Sequence, residues 1–488
     1  MKPNSTPIPP AHRPSLALAL LASALLSACA SLAQPGAALP ETPVPAAWAG
    51  ATSPAAPGQP TTALAAWWQH FNDPTLTALV TEALQANNSA RSAQAALLQA
   101  RAQRDVQQAS AGPSLGASGS VRRGKSGGND ASNSFQTGFD ASWEPDVFGR
   151  NRSALDASEA DVLASATSLA NVQVSLAAEV AVTTIELRGL QTRLATARRS
   201  LAAQTETLQI TRWRAQAGLV SSLDVEQAVA ASEQTAAQIP ALETGIAQAM
   251  NSLAVLTGQA PGALQTRLAP PAPVPQAAAH LALAVPADTL RQRPDVRTAE
   301  HRVSAALARV SQADAARYPS FRLSGSLGLN ALTLGALTNG ASVASALLAS
   351  VSVPLFDGGA ARAQVRSQEA ALEQARLGYQ AAVLNVLKDV EDALVSLQGN
   401  RERSARLQAA SAAAANAELL ARQRYESGLI DFRAVLDAQR TLLSTQDSLA
   451  STQASVSADM VRLYKALGGG WTPDEAAATS GDRTTAAR

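Results

Sequence analysis

One motif occurs twice in this chain and constrains the fold more than any other feature. Arg-x-Arg-x-x-x-Gly-Leu occupies residues 212–219 and returns 210 residues later, at 422–429. Each copy lies where one long helical pattern ends and another begins, and glycine suits the left-handed residue that follows a helix. A turn that recurs at one large spacing indicates a duplicated unit rather than two unrelated domains. The arginines and glycines of the two copies are Arg212, Arg214, Gly218, Arg422, Arg424 and Gly428.

A long stretch with almost no helix breakers precedes each copy, and we predict one helix over 150–216 and another over 360–427. Apolar residues recur every seven positions in the first, at Leu155, Val162, Leu169 and Leu176. This heptad spacing is typical of helices packed as coiled coils. At 1.5 Å per residue, each helix would be about 100 Å long. After each turn the pattern predicts a return helix, over about 221–256 and about 431–467.

Four short stretches between the helices carry apolar residues at alternate positions. They are 113–123 and 133–143 in the first half of the chain, and 319–330 and 345–355 in the second. Each has about ten residues, enough to cross a bilayer as a tilted β-strand. An ordinary half-buried sheet alternates in the same way, so the alternation alone leaves both interpretations open.

The number of strands decides between these interpretations. Single-chain membrane barrels need about eight strands or more, and an open sheet edge cannot face lipid because each unpaired backbone group costs several kcal/mol. Strands that cross a membrane here must therefore belong to a barrel shared by several chains. We predict a mainly α-helical fold with a transmembrane β-barrel shared by several chains. Three chains would give twelve strands, and their long helices would extend the barrel as a helical tube.

The N-terminal residues predict export and a lipid anchor. Residues 1–28 combine basic residues with a short apolar stretch, as in a secretory signal peptide. The stretch ends in Leu-Ser-Ala-Cys, the pattern of a bacterial lipoprotein cleavage site, and Cys29 is the only cysteine in the chain. Acyl chains on Cys29 would attach the mature protein firmly to a membrane.

The remaining signals divide the chain into further parts. We expect a Pro- and Ala-rich tether over 29–62, a first repeat over 63–270, a second repeat over 271–467 with its first helix over about 286–316, and a flexible tail over 468–488. In the first repeat, Asp73 followed by Pro74 predicts a helix start, and that helix is expected to run to about Gln108.

Composition and motifs argue against enzymes and nucleic-acid binding. Charged residues make up 16% of the chain and the net charge is +1, so there is no electrostatic basis for binding nucleic acid. The four histidines are scattered without metal-ligand spacing, and the single cysteine excludes a paired-cysteine site. We predict no catalytic activity and no cofactor apart from the covalent lipid on Cys29.

Six motifs, in family order, resemble those of outer-membrane efflux proteins of the TolC/OprM type, in their lipoprotein (NodT-like) branch. They are Trp67-Trp68-x-x-Phe71-x-Asp73-Pro74-x-Leu76, Trp143-Glu144-Pro145-Asp146-Val147-Phe148-Gly149-Arg150, Arg293-Pro294-Asp295-Val296-Arg297-x-Ala299-Glu300, Tyr318-Pro319-Ser320, Pro354-Leu355-Phe356-Asp357-Gly358-Gly359 and Tyr425-x-x-Gly428. The resemblance implies a homotrimer in outer-membrane lipid, with an α-barrel that crosses the periplasm. It also implies two partners, a periplasmic adaptor and an inner-membrane pump, commonly of the RND class. The implied function is passive export of small molecules through a duct with a periplasmic gate.

The resemblance also implies candidate gate residues. The family places an Asp and an Arg one turn apart in Leu-Asp-Ala-Gln-Arg, here Asp437 and Arg440. Carboxylates repeated around a three-fold axis repel each other unless cations pair with them, although such a pair can also be an ordinary surface contact. Arg433 stands where the family often has Leu, so we expect either that it pairs with a carboxylate such as Asp431 or that the gate is more electrostatic. Asp224 is a candidate for a second acidic ring.

The repeated Arg-x-Arg motifs would then be exposed tips that contact the adaptor. Simple helix capping is the other interpretation, because a cation near a helix C-terminus interacts with the helix dipole. Two alternative functions stay open: an outer-membrane channel for type I protein secretion, and a non-conducting periplasmic coiled-coil lipoprotein. A non-conducting periplasmic lipoprotein would not need four strands that are long enough to cross a bilayer.

Overall fold

The computed structural model describes residues 39–40, 42–50, 62–125, 127, 130–277, 289–291 and 293–472. The predicted signal peptide, Cys29, most of the predicted tether and residues 473–488 lie outside these ranges. Within them the chain is mainly helical with one four-stranded antiparallel sheet, which confirms the fold class expected for the chain.

The first repeat contains a pair of helices, a hairpin, one long helix and two return helices. These are α1 (Pro74–Ala86), α2 (Asn88–Ser110), β1 (Ser114–Gly124), β2 (Ser132–Trp143), α3 (Arg150–Gln216), α4 (Ser222–Ala236) and α5 (Gln238–Leu256). The second repeat follows the same plan with α6 (Pro294–Ala315), β3 (Ser320–Ala331), β4 (Val343–Ser352), α7 (Ala360–Glu426) and α8 (Phe432–Ala466). Short helical turns lie at Thr62–Ala65, Trp67–Phe71, Gln265–Leu268, Leu334–Thr338 and Gly340–Ser342.

Two helices expected to be continuous are interrupted. The helix expected to reach Gln108 breaks at Asn87, whose side chain accepts from the Ser89 amide at 2.8 Å and donates to the Leu256 carbonyl at 2.9 Å. The return helix of the first repeat breaks at Ala237. Pro240 follows three residues later and has no amide hydrogen for the carbonyl one turn earlier, which disfavours a continuous helix.

The sheet has the order β1-β2-β3-β4, and every neighbouring pair is antiparallel. Strands β1 and β4 form its two edges, and both are exposed along their whole length. At the centre, Gly138 of β2 faces Gly328 of β3, where an added Cβ on Gly138 would lie 2.7 Å from the Gly328 Cα. The two glycines therefore permit a close approach of backbones that no other residue would allow.

The two repeats differ sharply in how much of the long helix is covered. Helices α3 and α7 both have 67 residues, yet α3 has 27 buried residues and α7 has nine. The reason is that α3 packs against α6 and α8 of the second repeat as well as against its own repeat. Within the described residues, α7 packs along α6 and α8 but does not pack along the helices of the first repeat in the same way.

An aromatic cluster forms the core near the middle of the long helices. The Trp67 ring stacks on the Tyr464 ring at 5.4 Å between centroids, and Phe71 meets both rings edge-on. The N-terminal segment 42–50 packs beside this core, since Trp48 is buried and the amides of Ala49 and Gly50 donate to the Glu391 carboxylate.

Two segments expected to be loosely attached are thus packed where they are described. The three glycines at 468–470 predict the start of a flexible tail, but the Gly470 amide donates to the Leu64 carbonyl at 2.9 Å. Trp471 is buried against Ala170 and Val174 of α3. In both places a tryptophan side chain buries apolar area on the helical core, and this offsets the entropy cost of ordering a Gly- or Pro-rich segment.

Candidate functional site

The two copies of the repeated motif form the same turn. Gly218 and Gly428 have φ of 72° and 71°, in the left-handed region that favours glycine. The following amides, Leu219 and Leu429, donate to the carbonyls of Arg214 and Arg424 at 2.9 and 2.8 Å. The amide pattern is that of a Schellman motif, which satisfies the last carbonyls of each long helix.

The side chains of the two copies behave differently. Arg214, at the end of α3, reaches across to the end of α7, where it donates to the carbonyls of Tyr425 and Glu426 at 2.9 and 3.0 Å. Its guanidinium carbon also lies 4.3 Å from the centroid of the Tyr425 ring. Arg214 therefore caps the helix end of the other repeat, and it is not a free docking residue within this chain.

The other three arginines of the motif have no such partner. Within the described residues, the side chains of Arg212, Arg422 and Arg424 make no hydrogen bond or ion pair, and Arg212 and Arg424 are exposed. Leu219 and Leu429 at the turns are each 74% exposed. The tip of each hairpin thus presents apolar and cationic groups together.

A small apolar cluster lies directly behind the tips. Tyr425 contacts Phe432, with 5.4 Å between ring centroids, and both are buried with Leu208, Val435 and Leu436. This cluster joins the two hairpins of one chain, and Gln439 of α8 adds a hydrogen bond to the Thr207 hydroxyl of α3. Sequence reasoning did not identify it, because Leu208 is more than two hundred residues from Tyr425 and Phe432.

The candidate gate residues lie on the first turns of α8. The closest approach of Arg440 to Asp437 is 4.0 Å, and their side chains are 55% and 65% exposed. In a single chain this is a weak surface pair, of the kind that contributes a few tenths of a kcal/mol. The Asp437 and Arg440 side chains are thus accessible to groups outside the chain.

The other two gate candidates, Arg433 and Asp224, differ in their surroundings. Asp431 is the N-cap of α8 and accepts from the Ala434 amide at 3.1 Å, while Arg433 is exposed and has no ion pair within the described part of the chain. Of the two alternatives for Arg433, the pairing with Asp431 is therefore not present in the single chain. Asp224 forms a capping box with Ser221 at the start of α4, with its carboxylate 2.8 Å from the Ser221 hydroxyl.

Comparison with known proteins places the chain in a family. The profile described as "Outer membrane efflux protein" matches residues 79–259 and 285–469. The chain belongs to this family. The resemblance inferred from the six motifs is thereby confirmed.

Individual efflux proteins match over nearly the whole chain. Outer membrane protein OprJ of Pseudomonas aeruginosa is 32% identical over 462 residues, covering 93% of this chain and 95% of OprJ. The toluene efflux pump outer membrane protein TtgF of Pseudomonas putida is 30% identical over 475 residues, covering 93% of this chain and 96% of TtgF. The solved structure of the outer-membrane channel OprN superposes with a TM-score of 0.80 at 34% identity, over 90% of this chain and all of that one.

The chain is thus an outer-membrane efflux channel protein whose helical part extends into the periplasm. In that setting the sheet is the membrane end, and the two glycine turns are the far tips of the helical hairpins. Helices α3 and α7, at 1.5 Å per residue, separate these two ends by about 100 Å.

Proposed function

We propose that the chain forms a homotrimeric exit duct that is anchored to the outer membrane by lipid on Cys29. Small molecules delivered by an inner-membrane pump of the RND class and a periplasmic adaptor would leave through it passively. The helix tips dock the adaptor, and Asp437 with Arg440 form part of the gate at this end.

The observation that carries the proposal is the unequal burial of the two long helices. A duplicated unit with 27 buried residues in α3 and nine in α7 has one face that a neighbouring unit should cover. The exposed sheet edges β1 and β4 point to the same conclusion, because strands in a bilayer need partners on both sides. Three copies would cover α7, pair β4 with the next β1, and close a twelve-stranded barrel.

The chemistry of the tips supports a gate and a docking surface at the same end. Asp437, Arg440 and Arg433 are exposed in the single chain, so three copies would bring rings of opposite charge to the axis. Leu219 and Leu429 are exposed at the tips together with Arg212, as in protein interfaces that combine an apolar centre with arginine. The similarity to TtgF, a toluene efflux pump outer membrane protein, favours small apolar cargo over secreted protein.

The test is conductance of the purified protein in planar bilayers, after light scattering has established three chains per particle. We expect low conductance from the unmodified trimer and a clear rise in Asp437→Asn/Arg440→Gln. The matched control is Lys388→Gln/Asp392→Asn, which removes another exposed ion pair, 2.6 Å long, far from the tips. A trimer that never conducts, even with Asp437 and Arg440 neutralised, would overturn the proposal.

The lipid anchor has a separate test. Cys29→Ala should lose incorporation of radiolabelled palmitate while the unmodified chain retains it. Label retained in Cys29→Ala would exclude Cys29 as the site of acylation.

A further inference from the structure

Arg214 and Arg424 occupy the same position in the two repeats but have different surroundings. Arg214 donates to the last carbonyls of α7, at 2.9 and 3.0 Å, and lies over the Tyr425 ring. Arg424 is exposed, and within the described residues its side chain has no partner. Both helices end in the same Schellman turn, so the backbone around the two arginines is equivalent.

The internal repeat shows where a partner for Arg424 would be. Within one chain, Arg214 at the tip of the first repeat donates hydrogen bonds to the helix end of the second repeat. In a ring of three chains the repeats alternate, so the tip of each second repeat faces a first repeat of the neighbouring chain. Subtracting 210 from Tyr425 and Glu426 gives the corresponding acceptors, Ala215 and Gln216.

We propose that Arg424 caps the end of α3 in the neighbouring chain, donating to the carbonyls of Ala215 and Gln216 of the partner subunit. This inference rests on the proposed trimer and adds a contact between subunits to it. The six hairpin tips would then be joined by two classes of arginine clamp, three within chains and three between chains.

The two classes of clamp are unequal in strength. The position of Tyr425 is taken by Ala215 in the first repeat, so the clamp between chains has no aromatic ring under the guanidinium. The apolar cluster is replaced as well: Leu208, Phe432 and Leu436 correspond to Glu418, Ser222 and Glu226. With less apolar area and no aromatic ring, the contact between chains is the weaker one. When the periplasmic end of the channel opens, the tips of neighbouring chains therefore separate before the tips within one chain.

Cross-linking with a short flexible bis-maleimide distinguishes the two clamps. Arg424→Cys/Ala215→Cys should give covalent dimers and trimers on a denaturing gel after boiling. The matched control, Arg214→Cys/Tyr425→Cys, should cross-link within one chain and migrate as a monomer. The unmodified chain reports any background reaction of Cys29, and light scattering checks the trimer in each sample.

The pattern of cross-links distinguishes failure of the Arg424 clamp from failure of the trimer. Cross-links between chains from the Arg424 pair support the clamp. A trimeric sample in which the control pair reacts within chains, while the Arg424 pair does not join chains, would overturn it and leave the trimer intact. A sample without trimers would instead contradict the proposed function.

A second variant tests the weakness of the contact between chains. Ala215→Tyr supplies the missing ring, and three added cation–π contacts should lower the open fraction of the channel about tenfold. Ala215→Leu adds apolar bulk without the ring and serves as the control. In the Arg424→Gln background, Ala215→Tyr should lose most of its effect. Equal conductance of Ala215→Tyr and Ala215→Leu would refute the role of Arg424.

Discussion

Removal of the Arg214 side chain should loosen the tips within each chain. Arg214→Ala deletes two hydrogen bonds from a charged donor, of 2.9 and 3.0 Å, and a cation–π contact of 4.3 Å. Hydrogen bonds to charged groups contribute about 1.5–3 kcal/mol, and an exposed cation–π contact about 0.5–1 kcal/mol. Arg214 is only half-buried, so screening by solvent reduces the sum, and we expect a loss of about 2 kcal/mol.

Hydrogen exchange measures this loss directly. The amides of Gly428 and Leu429 are held by the Schellman turn at the end of α7. If local opening of the tip becomes about 2 kcal/mol easier, these amides should exchange about thirty-fold faster in Arg214→Ala. Mass spectrometry of the peptide 421–436 from the detergent-solubilised trimer would detect this change. Peptides from β3 should be unaffected.

The neighbouring motif arginine is the control. Arg212 lies two residues away and carries the same charge, but within the described residues its side chain has no partner. Arg212→Ala should therefore leave exchange at the tip almost unchanged, and Arg214→Lys should fall between the two because lysine lacks the planar fork. If Arg212→Ala and Arg214→Ala accelerate exchange equally, the effect comes from net charge and the clamp is refuted.

Three further predictions follow from backbone geometry and helix capping. Gly428→Ala should lower the thermal midpoint, because an Ala at φ 71° costs about 1–2 kcal/mol, although no atom lies within 4 Å of the new Cβ. The control is Gly399→Ala inside α7, where the new Cβ is equally unobstructed. This control should be neutral or stabilising. Gly138→Ala should abolish trimers on semi-native gels, because its Cβ would meet backbone at 2.7 Å, whereas Gly119→Ala, with no atom closer than 4.0 Å, should assemble normally. Amides of Ala361 and Gly359 donate to the Asp357 carboxylate and lower its pKa below the ordinary 3.8. The Asp357 carboxylate therefore stabilises the folded state fully above pH 3.8, and this stabilisation is lost as the pH falls through the lower pKa of the folded state. The thermal midpoints of Asp357→Ala and the unmodified protein should therefore converge in acid. A difference that persists there would contradict the capping role.

Local chemistry explains which elements were predictable from the sequence. Glycine is the residue that adopts positive φ without strain, so Gly218 and Gly428 located both turns. Alternation of apolar residues reflects the two faces of a strand, and the four predicted strands end within three residues of the observed ones. The pairing of β2 with β3 was not read from the sequence, since it depends on which segments meet after the chain folds.

The site was less predictable because its contacts are distant in sequence. Arg214 and the Tyr425 carbonyl are 211 residues apart, and no spacing rule links a capping arginine to a helix end in the other repeat. Trp48 and Trp471 occur in Pro- or Gly-rich segments, whose composition does not reveal that the rings pack among buried side chains of the core. Asp437 and Arg440 were found by resemblance, and their roles remain predictions.

The unequal coverage of α3 and α7 has a consequence for how the cell produces this protein. A newly exported chain has an α7 with only nine buried residues, so its final stability depends on meeting two further copies. The folded fraction should then rise steeply with the concentration of chains in the periplasm, since association stabilises by mass action. At low expression, single chains would spend longer as substrates for periplasmic proteases, and channel number would respond to synthesis more than proportionally.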